Sequence, residues 1–173
     1  TSVIASTGKS ESNRFFDFRQ HYKAVFVFTV YNYRVFGILR ELQIMAPTTA
    51  VLGNNDYDEY GKNVTRFAYP VIDGVRFLVA HYPNDARIGF NGSRAIAPGD
   101  PLPQVCVHGH THIPEIITGR DAYPASLFIC PGSCSRPRGG FPASVGFIEL
   151  EAGRVRAARV ESLDGEVLLE MGA

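Results

Sequence analysis

The pattern of apolar and polar positions predicts alternating strands and helices in the first third of the chain. A β-branched run at residues 2–6 precedes a polar segment, and aromatic side chains then recur at helical spacing over residues 14–22. The continuous apolar run at residues 24–31 is typical of a strand buried on both faces of a parallel sheet. A helix at residues 35–45 and a strand at residues 48–52 complete a βαβαβ order, which favours right-handed crossovers.

The remainder of the chain predicts short strands joined by tight turns. Asp73-Gly74 separates two apolar segments, 67–72 and 75–80, as in a two-residue hairpin. Residues 83–104 are rich in Gly, Pro and Asn, which predicts a surface segment that shapes access to a site and does not build the core. Six more strand-like segments follow, at residues 104–108, 115–118, 126–130, 144–151, 154–161 and 166–170. We therefore expect this half to be mostly antiparallel.

Composition narrows the class of protein. The 173 residues, 45% of them hydrophobic, predict one domain spanning residues 1–173. Seventeen Lys and Arg balance seventeen Asp and Glu, so no nucleic-acid-binding patch is expected. No apolar stretch approaches the roughly 20 residues that span a bilayer, and no secretory signal is evident, so we expect no membrane contact and a cytoplasmic location. Three cysteines, an odd number, fit reduced thiols there.

The densest group of chemically active side chains is the segment 107–114, VHGHTHIP, which holds three of the five histidines. His108, His110 and His112 would share one face of a strand, but the glycine and proline of the segment interrupt strand geometry. We therefore expect a strand at residues 104–107, with the histidines on the loop that leaves its C-terminal end. Imidazole is the commonest metal ligand, so the segment predicts metal binding; incidental histidines on a polar loop are the alternative.

Two further polar side chains follow predicted strands. The segment TTAVLG runs into Asn54, and VRFLVA runs into His81. If these strands neighbour QVCV, both side chains reach the sheet edge where the histidine loop begins. Taken singly, the Asn54 segment is more typical of a tight turn and His81 is equally typical of a rim histidine, but together they favour a site. Amide oxygen and imidazole nitrogen suit divalent ions such as manganese, nickel or zinc.

Two other segments carry weaker signals of phosphate chemistry. Gly8-Lys9-Ser10 has the form of the end of a phosphate-binding P-loop, but Val3 stands where that motif requires its first glycine. Arg136 and Arg138 lie on a segment rich in Pro and Gly and are suited to bidentate contact with phosphate. A solvated loop is the equal alternative for both arginines.

Four motifs together resemble those of a known family. They occur in the order Gly53-Asn54-Asn55-Asp56, His81, Gly109-His110-Thr111-His112, and Pro131-Gly132-Ser133 with Arg136-Pro137-Arg138-Gly139. In this order the chain resembles the small bacterial and archaeal phosphodiesterases of the calcineurin-like metallophosphoesterase superfamily. The resemblance covers nearly the whole chain. It implies an α/β fold, a four-layer αββα sandwich with mixed sheets and an antiparallel C-terminal half.

The same resemblance implies a function. It is that of a metal-dependent phosphodiesterase, which hydrolyses a small phosphodiester with a metal-bound hydroxide at a two-metal site. Asn54, His81 and His110 would bind one divalent ion, and His112 would help to bind the other. Asn54 would also contact the substrate phosphate, and Asp56 would orient a ligand. Manganese is expected ahead of nickel, zinc or magnesium, no other cofactor is expected, and a homo-oligomer is left open.

Two motifs of that family are absent from this sequence. Its members carry Asp-x-His after the first strand, where this chain has Ser6-Thr7-Gly8, and Gly-Asp after the second, where this chain has Thr29-Val30. Cys130 also stands where an asparagine is usual. Without the carboxylate that bridges the metals, a half-site would remain. Either the natural chain is a metalloenzyme with short segments missing here, or the protein is a non-catalytic interaction protein, like the small metallophosphoesterase-like subunit of the retromer sorting complex.

Overall fold

The computed structural model describes residues 2–6, 23–29, 35–54, 56, 64–88 and 93–171. Its strands are β1 Ser2–Ser6, β2 Lys23–Thr29, β3 Thr48–Val51, β4 Phe67–Ala68, β5 Val71–Ile72, β6 Val75–Ala80, β7 Val105–Val107, β8 Pro114–Thr118, β9 Leu127–Pro131, β10 Ser144–Glu151, β11 Arg154–Ser162 and β12 Val167–Met171. Its α-helices are α1 Val35–Met45 and α2 Pro83–Ala86, and a 3-10 helix spans Gly119–Ala122. The helix predicted at residues 14–22 lies outside the described residues. Among the described residues, no helix is long and apolar enough to cross a membrane.

One sheet is antiparallel throughout, in the order β12-β11-β10-β2-β1-β3. Its last three strands in sequence form a meander, because the two short turns that join them can connect only antiparallel neighbours. The prediction of an antiparallel C-terminal half is therefore confirmed. β10 alternates buried and partly buried residues, as expected for a strand with one face on a core.

The parallel pairing predicted for the first third of the chain is wrong. β1 runs antiparallel to both of its neighbours: Ser2 lies opposite Thr29 of β2 and Val51 of β3, and Ser6 lies opposite Val25. An apolar run indicates that a strand is buried, but it carries no information about direction. As a consequence, the C-terminal ends of β2 and β3 lie at the same end of the strands in this sheet, while the C-terminal end of β1 lies at the opposite end.

The second sheet is mixed, in the order β4-β6-β7-β9-β8, with β5 also paired to β6. β6, β7 and β9 are parallel, so their C-terminal ends meet at one edge. The predicted hairpin at Asp73-Gly74 is confirmed between β5 and β6. Both turn residues have positive φ angles, 50° and 79°, as a two-residue turn matched to strand twist requires.

The two sheets pack face to face around one aliphatic core. Its buried members come from both sheets: Val51, Val75, Phe77, Val79, Val105, Val107, Leu127, Ile129, Ile148, Leu150, Ala158 and Val160. α1 packs against β3 of the antiparallel sheet, and α2 packs against β6 and β7 of the mixed sheet. The predicted α/β sandwich is therefore confirmed, with helices and sheets layered as expected.

A second core lies between the mixed sheet and the segment 83–104, contrary to expectation. Ile88 and Ile96 of that segment are buried against Leu78, Cys106 and Phe128. Ile96 is only 3% exposed. The prediction that this segment avoids the core was wrong, because Gly and Pro prevent a long regular element but do not prevent single aliphatic side chains from packing.

Candidate metal centre

Three chain segments meet where β3, β6 and β7 end. β6 and β7 are parallel neighbours, and the Gly109 N–H donates a hydrogen bond to the His81 carbonyl at 3.1 Å. β3 reaches the same region because its last residue, Val51, lies in the core between the sheets. The structure therefore brings Asn54, His81 and His110 together at the edge where the sequence predicted a site.

The Nε2 atom of His81 lies at hydrogen-bond distance from one potential metal-binding atom of each of the other two residues. His81 Nε2 is 2.8 Å from Asn54 Oδ1 and 3.2 Å from His110 Nδ1. Ligand atoms bound about 2.0–2.1 Å from one ion, at right or tetrahedral angles, lie roughly 2.8–3.4 Å apart. Both distances from His81 Nε2 therefore fit pairs of ligand atoms on a single divalent ion.

The protonation of the two histidines also fits cation binding. Burial lowers the pKa of His81 to about 3, and that side chain is only 5% exposed. Burial, and then the charge of Arg138, lower the pKa of His110. Both rings are therefore neutral at pH 7 and each carries a lone pair. A metal at Nε2 of His81 would put the ring proton on Nδ1, which is buried and has no hydrogen-bond partner within the described part of the chain. The described residues therefore lack the acceptor that commonly orients a metal-binding histidine.

The turn that carries Asn54 is closed by Asp56. The Gly53 N–H donates to the Asp56 carboxylate at 2.6 Å, and the Asp56 N–H points back to the Gly53 carbonyl at 3.4 Å. The two interpretations of this segment, a tight turn and a site residue, are therefore compatible. Asp56 holds the backbone of the turn, and the turn presents Asn54 to His81.

His112 is buried on the same loop, with a defined ring orientation. Its Nδ1–H donates to the Arg136 carbonyl at 2.7 Å, so in the neutral ring the lone pair is on Nε2. His110 and His112 both have left-handed backbone conformations, with φ of 64° and 60°. Such conformations are uncommon outside glycine and concentrate at functional sites. They turn the chain sharply, which is why these histidines do not follow strand alternation.

His108 has a different environment from the other two loop histidines. It packs against Phe128, with ring centroids 4.6 Å apart, on the outer side of the mixed sheet. Its Nε2–H donates to the Glu115 carboxylate at 3.2 Å, and Nδ1 lies 3.0 Å from the Gly109 carbonyl oxygen. The hydrogen bond with His108 lowers the pKa of Glu115. These contacts give His108 a structural role, away from Asn54 and His81.

Two residues that the sequence analysis did not single out support the site. The Tyr82 ring packs on His110, with centroids 4.5 Å apart, and edge-on to His81 at 5.0 Å. The Ser133 hydroxyl accepts a hydrogen bond from the Arg136 N–H at 3.0 Å, which fixes the peptide whose carbonyl holds His112. The only sequence signal for Tyr82 was its position after His81, and Ser133 was noted only as part of a motif.

Among the described residues, no carboxylate joins His81 and His110 as a third potential metal ligand. In the described part of the chain, no group of three or more His, Cys, Asp or Glu side chains is arranged to hold a metal ion. The third donor beside His81 and His110 is instead the amide of Asn54. Thr7 and Val30, at the two positions where the resemblance calls for acidic motifs, lie outside the described residues.

Comparison with known proteins assigns the family. The calcineurin-like phosphoesterase superfamily domain matches residues 13–153, most of the chain. The protein therefore belongs to the calcineurin-like phosphoesterase superfamily, whose members generally depend on divalent metals. None of the curated proteins compared with this sequence matches it.

Solved structures show the same fold. YfcE, a phosphoesterase from E. coli, is 23% identical, with a TM-score of 0.53 over 80% of this chain and 69% of that chain. Vacuolar Protein Sorting 29 from Cryptosporidium parvum is 17% identical, with a TM-score of 0.54 over 82% of this chain and 77% of that one. Wild-type Vps29 from Entamoeba histolytica, solved with Zn2+, is 16% identical, with a TM-score of 0.53 over 82% and 77%. At these identities the likeness establishes the fold alone.

Proposed function

We propose that the protein is a metal-dependent phosphodiesterase whose first divalent ion is bound by Asn54, His81 and His110. The observation that carries this proposal is that His81 Nε2 lies 2.8 Å from the Asn54 amide oxygen and 3.2 Å from His110 Nδ1. Membership of the phosphoesterase superfamily supports the reaction class. Bound divalent ions would offset the charge of the phosphate and lower the pKa of an attacking water.

The residues of the chain have separate tasks in this proposal. His81 and His110 supply neutral nitrogens because burial disfavours their protonated forms. Asn54 is exposed at the rim, so its amide NH2 group can donate to a phosphate oxygen while its carbonyl faces His81. His112 presents Nε2 for a second ion because Nδ1 is engaged by the Arg136 carbonyl. Manganese is the proposed native metal, since mixed amide and imidazole donors suit ions of this class.

A non-catalytic interaction protein is the second candidate function. It is favoured because, among the described residues, no three His, Cys, Asp or Glu side chains are arranged to hold a metal ion. A divalent ion pair without a bridging carboxylate would be poorly neutralised, and hydrolysis would suffer more than binding of one ion. The two candidates therefore differ in hydrolysis, and not in the ability to bind one metal.

Metal content tests the proposed ligands. Elemental analysis of the purified protein, combined with the mass of the intact chain, should find manganese, nickel or zinc, and His110→Ala should lose most of it. Tyr82→Phe is the matched control, because it keeps the ring that packs on His110 and removes only a hydroxyl. Equal metal content in His110→Ala and the wild type would refute the ligand assignment.

Hydrolysis separates the two candidate functions. The natural full-length chain should slowly hydrolyse bis(4-nitrophenyl) phosphate, lose this activity with a chelator and regain it with manganese. Activity that survives both the chelator and His110→Ala would come from a contaminant. A metal-loaded chain of confirmed mass that is inert toward diesters and monoesters would instead identify an interaction protein.

A further inference from the structure

The loop between β9 and β10 is tied to the histidine loop by its backbone. The Arg136 carbonyl accepts the His112 ring proton at 2.7 Å, and the Arg138 N–H donates to the His112 carbonyl at 3.1 Å. Within the loop, Ser133 caps the Arg136 N–H at 3.0 Å, and the Phe141 N–H reaches the Arg138 carbonyl at 3.3 Å. Four hydrogen bonds therefore fix the position of residue 138 relative to His112.

The Arg138 side chain places a positive charge beside the proposed metal ligands. Its guanidinium is the strongest charge acting on His110, and it also lowers the pKa of His112. Arg136 acts on His112 through its backbone carbonyl, which accepts the ring proton. Of the two arginines on this loop, Arg138 is the one whose charge acts on both rings, and its backbone N–H donates to the His112 carbonyl at 3.1 Å.

Arg138 also differs from other arginines of the protein in its partners. Arg94 pairs with Asp85, and Arg156 and Arg159 pair with Glu149. Within the described part of the chain, Arg138 is exposed and pairs with no carboxylate. An exposed, uncompensated guanidinium next to neutral imidazoles is a place that attracts an anion.

We propose that Arg138, held beside His112 by its backbone, binds the phosphate group of the substrate. A guanidinium presents parallel N–H donors that match two phosphate oxygens. Because its attraction grows with the charge of the anion, Arg138 favours a dianionic phosphate over a singly charged diester. This inference rests on the proposed function, since it states how that site recognises phosphate.

Binding of inorganic phosphate tests this role without requiring turnover. Calorimetric titration of the full chain, both metal-free and zinc-loaded, should show about tenfold weaker phosphate binding for Arg138→Ala, since a charge-assisted contact at an exposed position lies at the lower end of its range. Arg138→Lys should recover part of the loss, because it restores the charge but not the fork of donors. Zinc content should equal that of the wild type.

Arg154→Ala is the matched control for the loss of charge. Arg154 is exposed and follows Gly153. Gly153 lies beside Gly74, since a Cβ added to Gly74 would be 3.5 Å from the Gly153 Cα. Gly74 precedes β6 and His81 follows it, so Arg154 lies at the opposite end of that strand. Phosphate binding should be unchanged in Arg154→Ala. In an active preparation, Arg138→Ala should lower kcat/KM more for 4-nitrophenyl phosphate than for bis(4-nitrophenyl) phosphate.

The outcomes distinguish this inference from the proposed function. Wild-type phosphate affinity in Arg138→Ala, or no phosphate binding by the wild type, would overturn the role of Arg138 while leaving the metal ligands standing. Loss of zinc together with phosphate in Arg138→Ala would overturn it too, because Arg138 would then only maintain the His112 loop. A protein that never hydrolyses esters but loses phosphate binding in Arg138→Ala would refute the phosphodiesterase and support the anion site.

Discussion

The turn at Gly132 offers a quantitative test of how the β9–β10 loop is held. Gly132 has φ of 77°, and a Cβ added to it would lie 2.2 Å from Ser144 Oγ and 3.0 Å from Pro114 Cγ. Ser144 is fully buried, and its hydroxyl donates to the Pro131 carbonyl at 2.8 Å. Gly132→Ala must therefore both strain the backbone and displace a buried, hydrogen-bonded hydroxyl.

The expected magnitude follows from these two effects. A left-handed conformation costs an alanine about 1–2 kcal/mol. Loss of the buried hydrogen bond between Ser144 and Pro131 costs about 1–3 kcal/mol more. The free energy of unfolding should therefore fall by about 2–5 kcal/mol. For a protein of this size, each kcal/mol lowers Tm by about 2–4 °C, so we expect a decrease of about 4–20 °C.

Chemical and thermal unfolding of four variants separate the two effects. Gly165→Ala is the control for backbone strain, because Gly165 has φ of 89° and no atom lies within 4 Å of an added Cβ. Ser144→Ala removes the hydroxyl that would clash. In the double variant with Gly132→Ala and Ser144→Ala, the loss of stability should be clearly smaller than the sum of the two single losses.

Either of two results would refute the constraint of Ser144 on the turn at Gly132. If Gly132→Ala costs no more than Gly165→Ala, the turn relaxes and Ser144 does not constrain it. If the losses in the double variant add without coupling, the destabilisation comes from somewhere other than the contact between the Cβ and the hydroxyl.

Three further predictions concern the second core, acid stability and metal binding. Ile96→Ala should lower the free energy of unfolding in urea by about 2–5 kcal/mol because Ile96 is buried, and an unchanged free energy would place Ile96 outside the core. Shortening the segment between Ile88 and Pro101 should destabilise the fold by a similar amount. In metal-free protein, His81 takes up a proton near pH 6.5 in the unfolded chain and only near its pKa of about 3 in the folded chain, so the free energy of unfolding should fall as the pH drops through that range. His81→Asn should flatten the slope of the free energy of unfolding against pH, and an equal slope would contradict the burial of His81. Manganese at 100 times its Kd should add about 2.7 kcal/mol to the free energy of unfolding of protein whose metal was first removed with a chelator, measured as a rise in Tm. An equal rise in Tm for His110→Ala would contradict the proposed site.

Local pattern was sufficient to locate most elements of this fold. α1 occupies residues 35–45 as its apolar spacing predicted, and the Asp73-Gly74 hairpin follows from a turn that needs positive φ angles. The strands of the C-terminal meander were also found from β-rich segments separated by turns. These features depend on near neighbours in the chain, so the sequence carries them directly.

Candidate site residues were predictable to the same extent as their strands. Asn54, His81 and His110 each follow an apolar strand. His81 and His110 follow parallel neighbours of the mixed sheet, whereas Asn54 follows β3 of the antiparallel sheet and meets them because the two sheets pack together. What each residue binds stays a prediction. The distances of 2.8 and 3.2 Å depend on how two sheets pack, and no local pattern contains that packing.

Only the tertiary structure decided the direction of β1, the burial of Ile96 and the separation of His108 from His110. β1 pairs antiparallel with both neighbours because strand direction depends on the connections and partners along the whole sheet. Ile96 is buried because the mixed sheet has a second apolar face to cover. His108 directly follows β7 and contacts Glu115 and Phe128, whereas the left-handed residues His110 and His112 turn the chain after it. Sequence alone determined which side chains follow strands, while long-range packing selected which of them meet.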